Sequence, residues 1–347
     1  MKTKITQNDV ASHAGVTRSM VSYVINGNSR TVAPETRQKI LDAISDLGYR
    51  PNKFAQALSM GSKGGFADRQ IGIVLCSVEL FLRPYYTEIL AGIHSAAHEK
   101  DFHIRFIRFF DELKDPILFN QLIHSEEICG LLLVGIDQSL KTPEDWNIIE
   151  RIQTQIDQIV CVEWQTPGLS SVSFDRQATA LEVTHYLLDH GYRDIAYIGE
   201  SDQRVTGFKL AFLEHGMKDI SDLYIDAAAD MASGYDAVQR LRKSRLLKPS
   251  TSVGLPRAIF AGSDEVAIGI LLWLHEQGIR VPSETAVISI DNIEMASYTN
   301  PQLTTMNVQK RAMGYRAVEM IVNHGAGRGE DAVTLMLPTN LVIRKSA

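Results

Sequence analysis

Between Thr6 and Leu58 the chain carries two short helical patterns held apart by a three-residue turn, which leaves few choices for the N-terminal segment. Gln7 to Ala14 and Arg18 to Ile25 each repeat apolar residues at three- and four-residue steps. Val10, Ala11 and Ala14 form the first stripe, and Val21, Val24 and Ile25 the second. In the turn Gly15-Val16-Thr17, the glycine permits the reversal. Thr6, with Asp9 three residues on, and Thr17 are N-cap residues whose side-chain oxygens satisfy amides left open at a helix start. A third stripe, Ile40, Leu41, Ile44 and Leu47, predicts a helix from Pro34 to Leu47, with proline at its first position and Gly48 as its stop. Ala33 stands where a hydroxyl cap would serve, which forgoes about 1 kcal/mol. Three helices of this length can enclose one small core.

The second helix keeps Arg18, Ser19, Ser22 and Tyr23 off its apolar stripe. A major groove admits one helix, whose leading residues reach base edges, while hydroxyls and helix N-termini hold phosphates. The pattern implies a helix-turn-helix DNA reader with Thr6, Thr17, Arg18, Ser19, Ser22, Tyr23 and Asn26 at the duplex. Charge is segregated accordingly. The first 60 residues hold eight basic against four acidic side chains, so a chain of net charge -6 carries plus four at this end and minus ten elsewhere. A basic head on an acidic body is the footprint of phosphate binding confined to one end.

Asp9-Val10-Ala11, Ala14-Gly15-Val16, Val21-Ser22, Val24-Ile25-Asn26 and Gly48-Tyr49-Arg50-Pro51-Asn52 resemble the head of the lactose/galactose repressor family, and matching residues continue through most of the chain. The resemblance implies that Pro51-Asn52 opens a hinge helix, here Asn52 to Ser59, which orders on the operator. It also implies that Asn52 and Ala55 lie at the DNA and that Leu58 enters the minor groove. An apolar wedge there unstacks a base step in exchange for a bend. In one departure, Gln56 follows the hinge alanine where the family usually has arginine, removing a cationic contact.

Met60 to Arg69, with Gly61, Ser62, Gly64 and Gly65, reads as a connector. Beyond it, β-rich runs alternate with helical patterns. Gln70 to Ser77, Tyr85 to Glu99, His103 to Phe109, Pro116 to His124, Cys129 to Val134 and Pro143 to Thr154 make the first series. Ile156 to Val162, Asp175 to His190, Asp194 to Gly199, Val205 to His215, Ser233 to Lys243, Ala258 to Ala261, Asp264 to Gln277 and Ala286 to Ile290 make the second. Such alternation predicts parallel sheets covered by helices. With Ser171 to Phe174 and Asn292 to Met306 read as connections, the fold class is α/β: a three-helix head and hinge helix, then two doubly wound parallel-sheet lobes. The resemblance makes these lobes of periplasmic sugar-binding-protein type, with a last helix, about Asn307 to Asn323, returning to the first lobe. The expected division is 1–50 head, 51–69 hinge and linker, and 70–347 core, with lobe 1 about 70–165 plus 295–325 and lobe 2 about 166–294 plus 326–347.

Open α/β sheets bind small molecules beyond the C-terminal ends of their strands. Ser77, Asp137, Arg204, Ser263 and Asp291 stand at such ends and are the candidate effector contacts. Carboxylates accept hydroxyl protons and a guanidinium donates a planar fork, a mixture suited to a polyol. The family resemblance further assigns effector binding to the arginine in Arg204-Val205-Thr206-Gly207-Phe208 and the aspartate in Ser289-Ile290-Asp291-Asn292. Asp264 matches as well, with capping of the following helix as its expected task. Many relatives place an aromatic platform shortly before the pair matching Ser233-Gly234. Here Ala227-Ala228-Ala229 stands instead, which leaves Phe81, Tyr85 or Trp164 as sources of a stacking face and the effector's identity open.

The enzymatic motifs common in doubly wound sheets are missing. The chain lacks a Gly-x-Ser-x-Gly elbow, a phosphate loop, a His-Glu-x-x-His pair and a dinucleotide glycine fingerprint. Cys76, Cys129 and Cys161 are widely spaced and read as buried thiols, and His94 and His98 as a solvated helix face; no metal and no cofactor is expected. Without a signal segment or an apolar run of spanning length, the expected place is the cytoplasm, with no membrane partner. The partners expected are a palindromic double-stranded operator, a sugar-like effector and a second copy of the chain, since twofold symmetry doubles the half-site contact. No leucine heptad follows Val333 to Ile343, which favours a dimer. The competing class is a carbohydrate-binding receptor or enzyme with an accessory helical head, and retention of a duplex in a gel separates the two.

Overall fold

A computed structural model describes residues 5–26, 32–49, 67–217, 224–243 and 253–347. The head comprises α1 (Gln7–Ala14), α2 (Arg18–Asn26) and α3 (Pro34–Leu47). Thr6 and Asp9 close a reciprocal capping box at the start of α1, and Gly15 ends the helix at φ 65°, in the left-handed region that favours glycine. Ala33 precedes α3 with no side-chain cap, and Gly48 stops it at φ 60°. Val10, Ala11, Val21, Ile40, Ala43 and Ile44 form the buried core together with Tyr49, which helical periodicity did not single out. The stretch containing Asn52, Ala55 and Leu58 lies outside the described residues, as does most of the linker.

The chain divides into two compact units, 1–172 with 311–334 and 173–310 with 335–347. The chain crosses at 172/173, 310/311 and 334/335, and these positions differ from the division drawn on the sequence. The first unit is built from β1 (Gln70–Leu75), α4 (Pro84–Glu99), β2 (His103–Phe109), α5 (Pro116–Leu122), β3 (Gly130–Val134), α6 (Pro143–Gln155), β4 (Gln158–Val162) and β5 (Ser170–Ser173). The second contains α7 (Arg176–Asp189), β6 (Ile195–Gly199), α8 (Gln203–Glu214), β7 (Tyr224–Asp226), α9 (Met231–Lys243), β8 (Ala258–Ala261), α10 (Asp264–Glu276), β9 (Ala286–Asp291) and β10 (Thr304–Asn307). Helix α11 (Lys310–Val322) follows, then β11 (Thr334–Met336) and β12 (Asn340–Val342).

The strand orders are β11-β5-β4-β3-β1-β2 and β12-β10-β9-β8-β6-β7. Apart from the short C-terminal strands, each sheet follows the same doubly wound sequence, in which the first strand lies between the second and third. In both, the order reverses between neighbouring strands, at β1/β3 and at β6/β8, the position at which open sheets of this kind bind ligands. Strands β1, β3, β6, β8 and β9 are buried along their whole length, as parallel strands covered on both faces must be.

Two strands correct the sequence reading. The stretches taken as connections contain β5, paired with β4, and β10, parallel to β9. Ser170, Ser171, Thr304 and Thr305 are fully buried, and their hydroxyls are satisfied. Ser170 Oγ donates to the Gly327 carbonyl at 2.8 Å, and Thr304 Oγ1 accepts from the Arg344 amide at 3.0 Å. Polar side chains with partners can line a core strand, and composition alone then makes it look like a loop.

Candidate DNA-reading face and effector sites

On the head, Thr17, Arg18 and Ser19 are exposed at the N-terminal end of α2, while Ser22 and Tyr23 are half-buried beside them. Thr17 Oγ1 accepts from the Met20 amide at 3.4 Å, so it caps α2, and Arg18 Nε donates to Gln7 Oε1 at 3.4 Å across the turn. Thr6 donates to the Asp9 carboxylate through both its amide and its hydroxyl at 2.7 Å, and these bonds hold the Asp9 pKa down. The structure thus gathers Thr17, Arg18 and Ser19 at one helix end. It places Thr6 one helix earlier, as the cap of α1, and Asn26 in the final position of α2.

At the β1/β3 reversal of the first unit, Ser139 Oγ donates to the Cys76 carbonyl at 3.1 Å, tying the two strand ends together. Ser77 follows β1 and is half-buried, and Asp137 is exposed in the turn after β3. Burial pushes the Cys76 thiol up, and the nearby Asp137 charge adds to that effect. Two polar groups that the sequence reading did not assign lie in this unit, Glu163 buried and Gln138 exposed. Glu163, immediately after β4, holds φ 74° and accepts a short hydrogen bond from the Tyr85 hydroxyl. Gln138 Nε2 donates to the Tyr86 hydroxyl at 2.9 Å. Among the candidate aromatic faces, Trp164 packs in the core with Nε1 donating to the Leu133 carbonyl, Tyr85 is buried, and Phe81 is 40% exposed.

In the second unit the β6/β8 reversal is close-packed. A Cβ on Gly199 would stand 2.9 Å from the Gly262 Cα, so side-chain-free residues at both strand ends are required. Arg204, in the first turn of α8, spans the same two ends. Its Nη1 donates to the Gly262 carbonyl at 2.6 Å, its Nη2 to Glu200 at 2.7 Å, and its Nε to the two Asp202 oxygens at 3.0 and 3.1 Å. Burial opposes the charge on Arg204, but Tyr197, Asp202 and Glu200 more than restore it, and its pKa lies well above the ordinary value. Much of the fork expected to meet a ligand is therefore engaged within the loop. Glu200 and Asp202 carried a local signal, lying four and two residues before the arginine.

Ser263 caps α10, its oxygen accepting from the Val266 amide at 3.3 Å. Asp264 is consequently not the cap. It is fully buried and accepts from Ser289 Oγ at 2.5 Å, Thr305 Oγ1 at 2.6 Å and the Ile293 amide at 2.7 Å, joining β9, β10 and the loop after β9. Burial raises its pKa to about 6, against the opposing pull of those donors and of Lys310. Asp291 closes β9 with φ 122°, and Asn292 follows at 53°. The buried Lys310 ammonium donates to the carbonyls of Asp291 at 2.5 Å and Asn292 at 3.2 Å, holding this strained corner. Strain of this kind persists where surrounding bonds over-determine it, and such positions concentrate at functional sites. After β7, Ala227 packs into the core, and the small side chains of 227–229 offer no aromatic face.

Among the described residues, no three His, Cys, Asp or Glu side chains gather as metal ligands would, and no helix is long and apolar enough to cross a membrane. The three cysteines are free thiols, of which Cys76 and Cys161 are buried.

A capped three-helix head with a polar face on its second helix, followed by two doubly wound units, defines a ligand-responsive DNA-binding regulator. Comparison with known proteins agrees. Residues 6–52 match the bacterial regulatory proteins of the lacI family, and residues 184–347 match a periplasmic binding protein-like domain. The chain thus joins a lacI-family DNA-binding head to a periplasmic binding protein-like domain. It is 28% identical over 349 residues to the HTH-type transcriptional repressor PurR of Pasteurella multocida, covering 97% of each chain. Among solved structures, a complex of the transcriptional regulator CelR with cellobiose is similar at a TM-score of 0.67 and 25% identity, over 99% of this chain and 100% of that one. A lac repressor dimer bound to operator and the anti-inducer ONPF has the same fold, with a TM-score of 0.66 at 22% identity over 99% of each chain.

Proposed function

We propose that this regulator is a repressor of carbohydrate-utilisation genes, acting in the cytoplasm as a homodimer on a palindromic operator. In this reading Arg18, Ser19 and Tyr23 read bases, and Thr6, Thr17, Ser22, Asn26, Asn52 and Ala55 position the duplex. Leu58 wedges the minor groove. The observation that carries the DNA half is the exposed N-terminal end of α2, where Arg18 and Ser19 stand on a helix fixed by its Thr17 cap. A small sugar-like effector binds at the strand ends carrying Ser77 and Asp137 in the first unit and Arg204, Ser263 and Asp291 in the second.

The cellobiose bound by the CelR relative supports a sugar as the effector class. The reading is tested by thermal-shift screening of the full chain against mono- and disaccharides, their phosphates and purines, followed by gel retention of a palindromic duplex with and without each stabilising compound. A compound that stabilises the protein and changes retention is the expected result. Stabilisation by purines alone would remove the sugar assignment, and failure to retain any palindromic duplex would remove the operator assignment.

A further inference from the structure

The loop after β6 fills the donors of its own arginine. Arg204 carries five N–H donors in one plane, of which Nε, one on Nη1 and both on Nη2 point at acceptors of the same chain: Asp202, the Gly262 carbonyl and Glu200. The arginine side chain is 8% exposed and the Glu200 side chain 45%, so whatever arrives at this strand end meets the carboxylate before the guanidinium. Glu200 Oε2 is held by Arg204, and Oε1 has no partner among the described residues. A further carboxylate, Asp226 at the end of β7, accepts from the Ser201 amide at 3.1 Å and adds negative charge beside the loop, while Arg176 Nε lies 3.9 Å from Asp202.

We infer that Glu200 is a built-in occupant of the anion position on Arg204 and sets effector specificity, admitting uncharged hydroxyl-bearing compounds and refusing phosphorylated or carboxylated ones. The inference rests on the reading that this strand end binds the effector. A carboxylate can only accept hydrogen bonds, so the outward Glu200 oxygen takes a proton from a sugar hydroxyl. A phosphate is likewise an acceptor. It would face a like charge and find a guanidinium with four of its five donors already used, so its binding is penalised twice. Arg204 thereby serves as the anchor that aims Glu200.

The test is a gain of binding. Inorganic phosphate is titrated by calorimetry and thermal shift into the full-length parent and into Glu200→Gln, at ionic strength fixed with chloride. The parent is expected to show no saturable uptake, and the variant to bind phosphate at least about tenfold more tightly, because one carboxylate no longer competes for Nη2. Glu200→Ser repeats the test with a side chain too short to rebuild the bond. The inference is overturned if the parent binds phosphate as tightly as the variants, or if both variants melt like the parent and take up none. A separate arm uses the parent alone: a phosphorylated sugar that binds more tightly than its neutral counterpart also overturns the inference. If neutral sugars stabilise the parent but the variants gain no phosphate, the effector reading stands and the filter falls. If phosphate uptake appears without any neutral ligand, the filter stands and the sugar reading falls.

Discussion

Arg18 and Asp264 are opposite uses of a charged side chain, one exposed for a partner and one buried for the fold. The Arg18 guanidinium stands exposed at the leading end of α2, tethered only weakly through Nε to Gln7 at 3.4 Å, so its planar fork can turn to guanine in a major groove. Arg18→Ala should cost about 1 to 3 kcal/mol of operator binding and relax preference at one base pair. Quantitative retention on a set of single-base operator variants checks this, and uniform weakening on all sequences would make Arg18 a phosphate contact instead. Asp264 is fully buried with a pKa raised to about 6. A raised carboxyl holds a proton in the folded chain that the unfolded chain has already lost. Its stabilising contribution is therefore full below the unfolded value near 4 and is lost as pH rises through 6. Asp264→Asn keeps the shape without that proton. Relative to the variant, the parent should gain stability by roughly 2 kcal/mol as pH falls from 7 to 4. Denaturant melts at a series of pH values measure the difference, and parallel curves would show that Asp264 does not titrate in this window.

Helix α3 shows what an element gains from its ends. Ala33 occupies its N-cap with extended backbone and no side-chain bond, although Pro34 and Gly48 begin and end the helix well. Ala33→Ser supplies an acceptor for an open amide and should stabilise the head by about 1 kcal/mol, visible as a higher denaturant midpoint for the head transition. An unchanged midpoint would mean that water already satisfies those amides. The same level shows what was legible in advance. Apolar runs such as Ile71 to Leu75 and Leu131 to Val134 announce buried parallel strands, and stripes such as Ile40, Ile44 and Leu47 announce helices, because each periodicity matches one way of burying a face. Ser170 to Ser173 and Thr304 to Asn307 did not announce themselves, since their burial depends on partners distant in the chain, such as Gly327 and Arg344. What was legible was placement near strand ends, for Ser263 follows β8, Arg204 lies in the first turn of the helix after β6 and Asp291 closes β9. Their bonding was not. Whether Ser263 or Asp264 caps α10, and whether Arg204 faces a ligand or its own loop, is settled by side-chain direction, which a sequence pattern does not encode.

At the scale of the whole molecule, two units of the same strand order share one chain that crosses between them at 172/173, 310/311 and 334/335, while the head belongs to the first. An effector can change operator affinity in such a molecule only by binding one of its states more tightly than another, and the size of the response equals that difference in affinity. Asp291 is suited to sense the effector because its strained backbone, at φ 122°, is fixed from behind by Lys310. The head lies in the other unit, so a change at Asp291 removes the proposed sensing contact without touching the proposed DNA-reading face. Asp291→Ala should therefore leave operator affinity in the absence of effector nearly unchanged. It should weaken effector binding by about 1.5 to 3 kcal/mol, the scale of a hydrogen bond to a charged group, and shift the effector response to correspondingly higher concentration. Asp291→Asn, which tolerates positive φ and loses only the charge, separates electrostatics from backbone strain and should fall between parent and alanine. Titrating the effector into protein–operator complexes of all three checks the prediction. An equal response in all three would exclude Asp291 from the switch, whereas loss of operator binding before any effector is added would show that it props the fold.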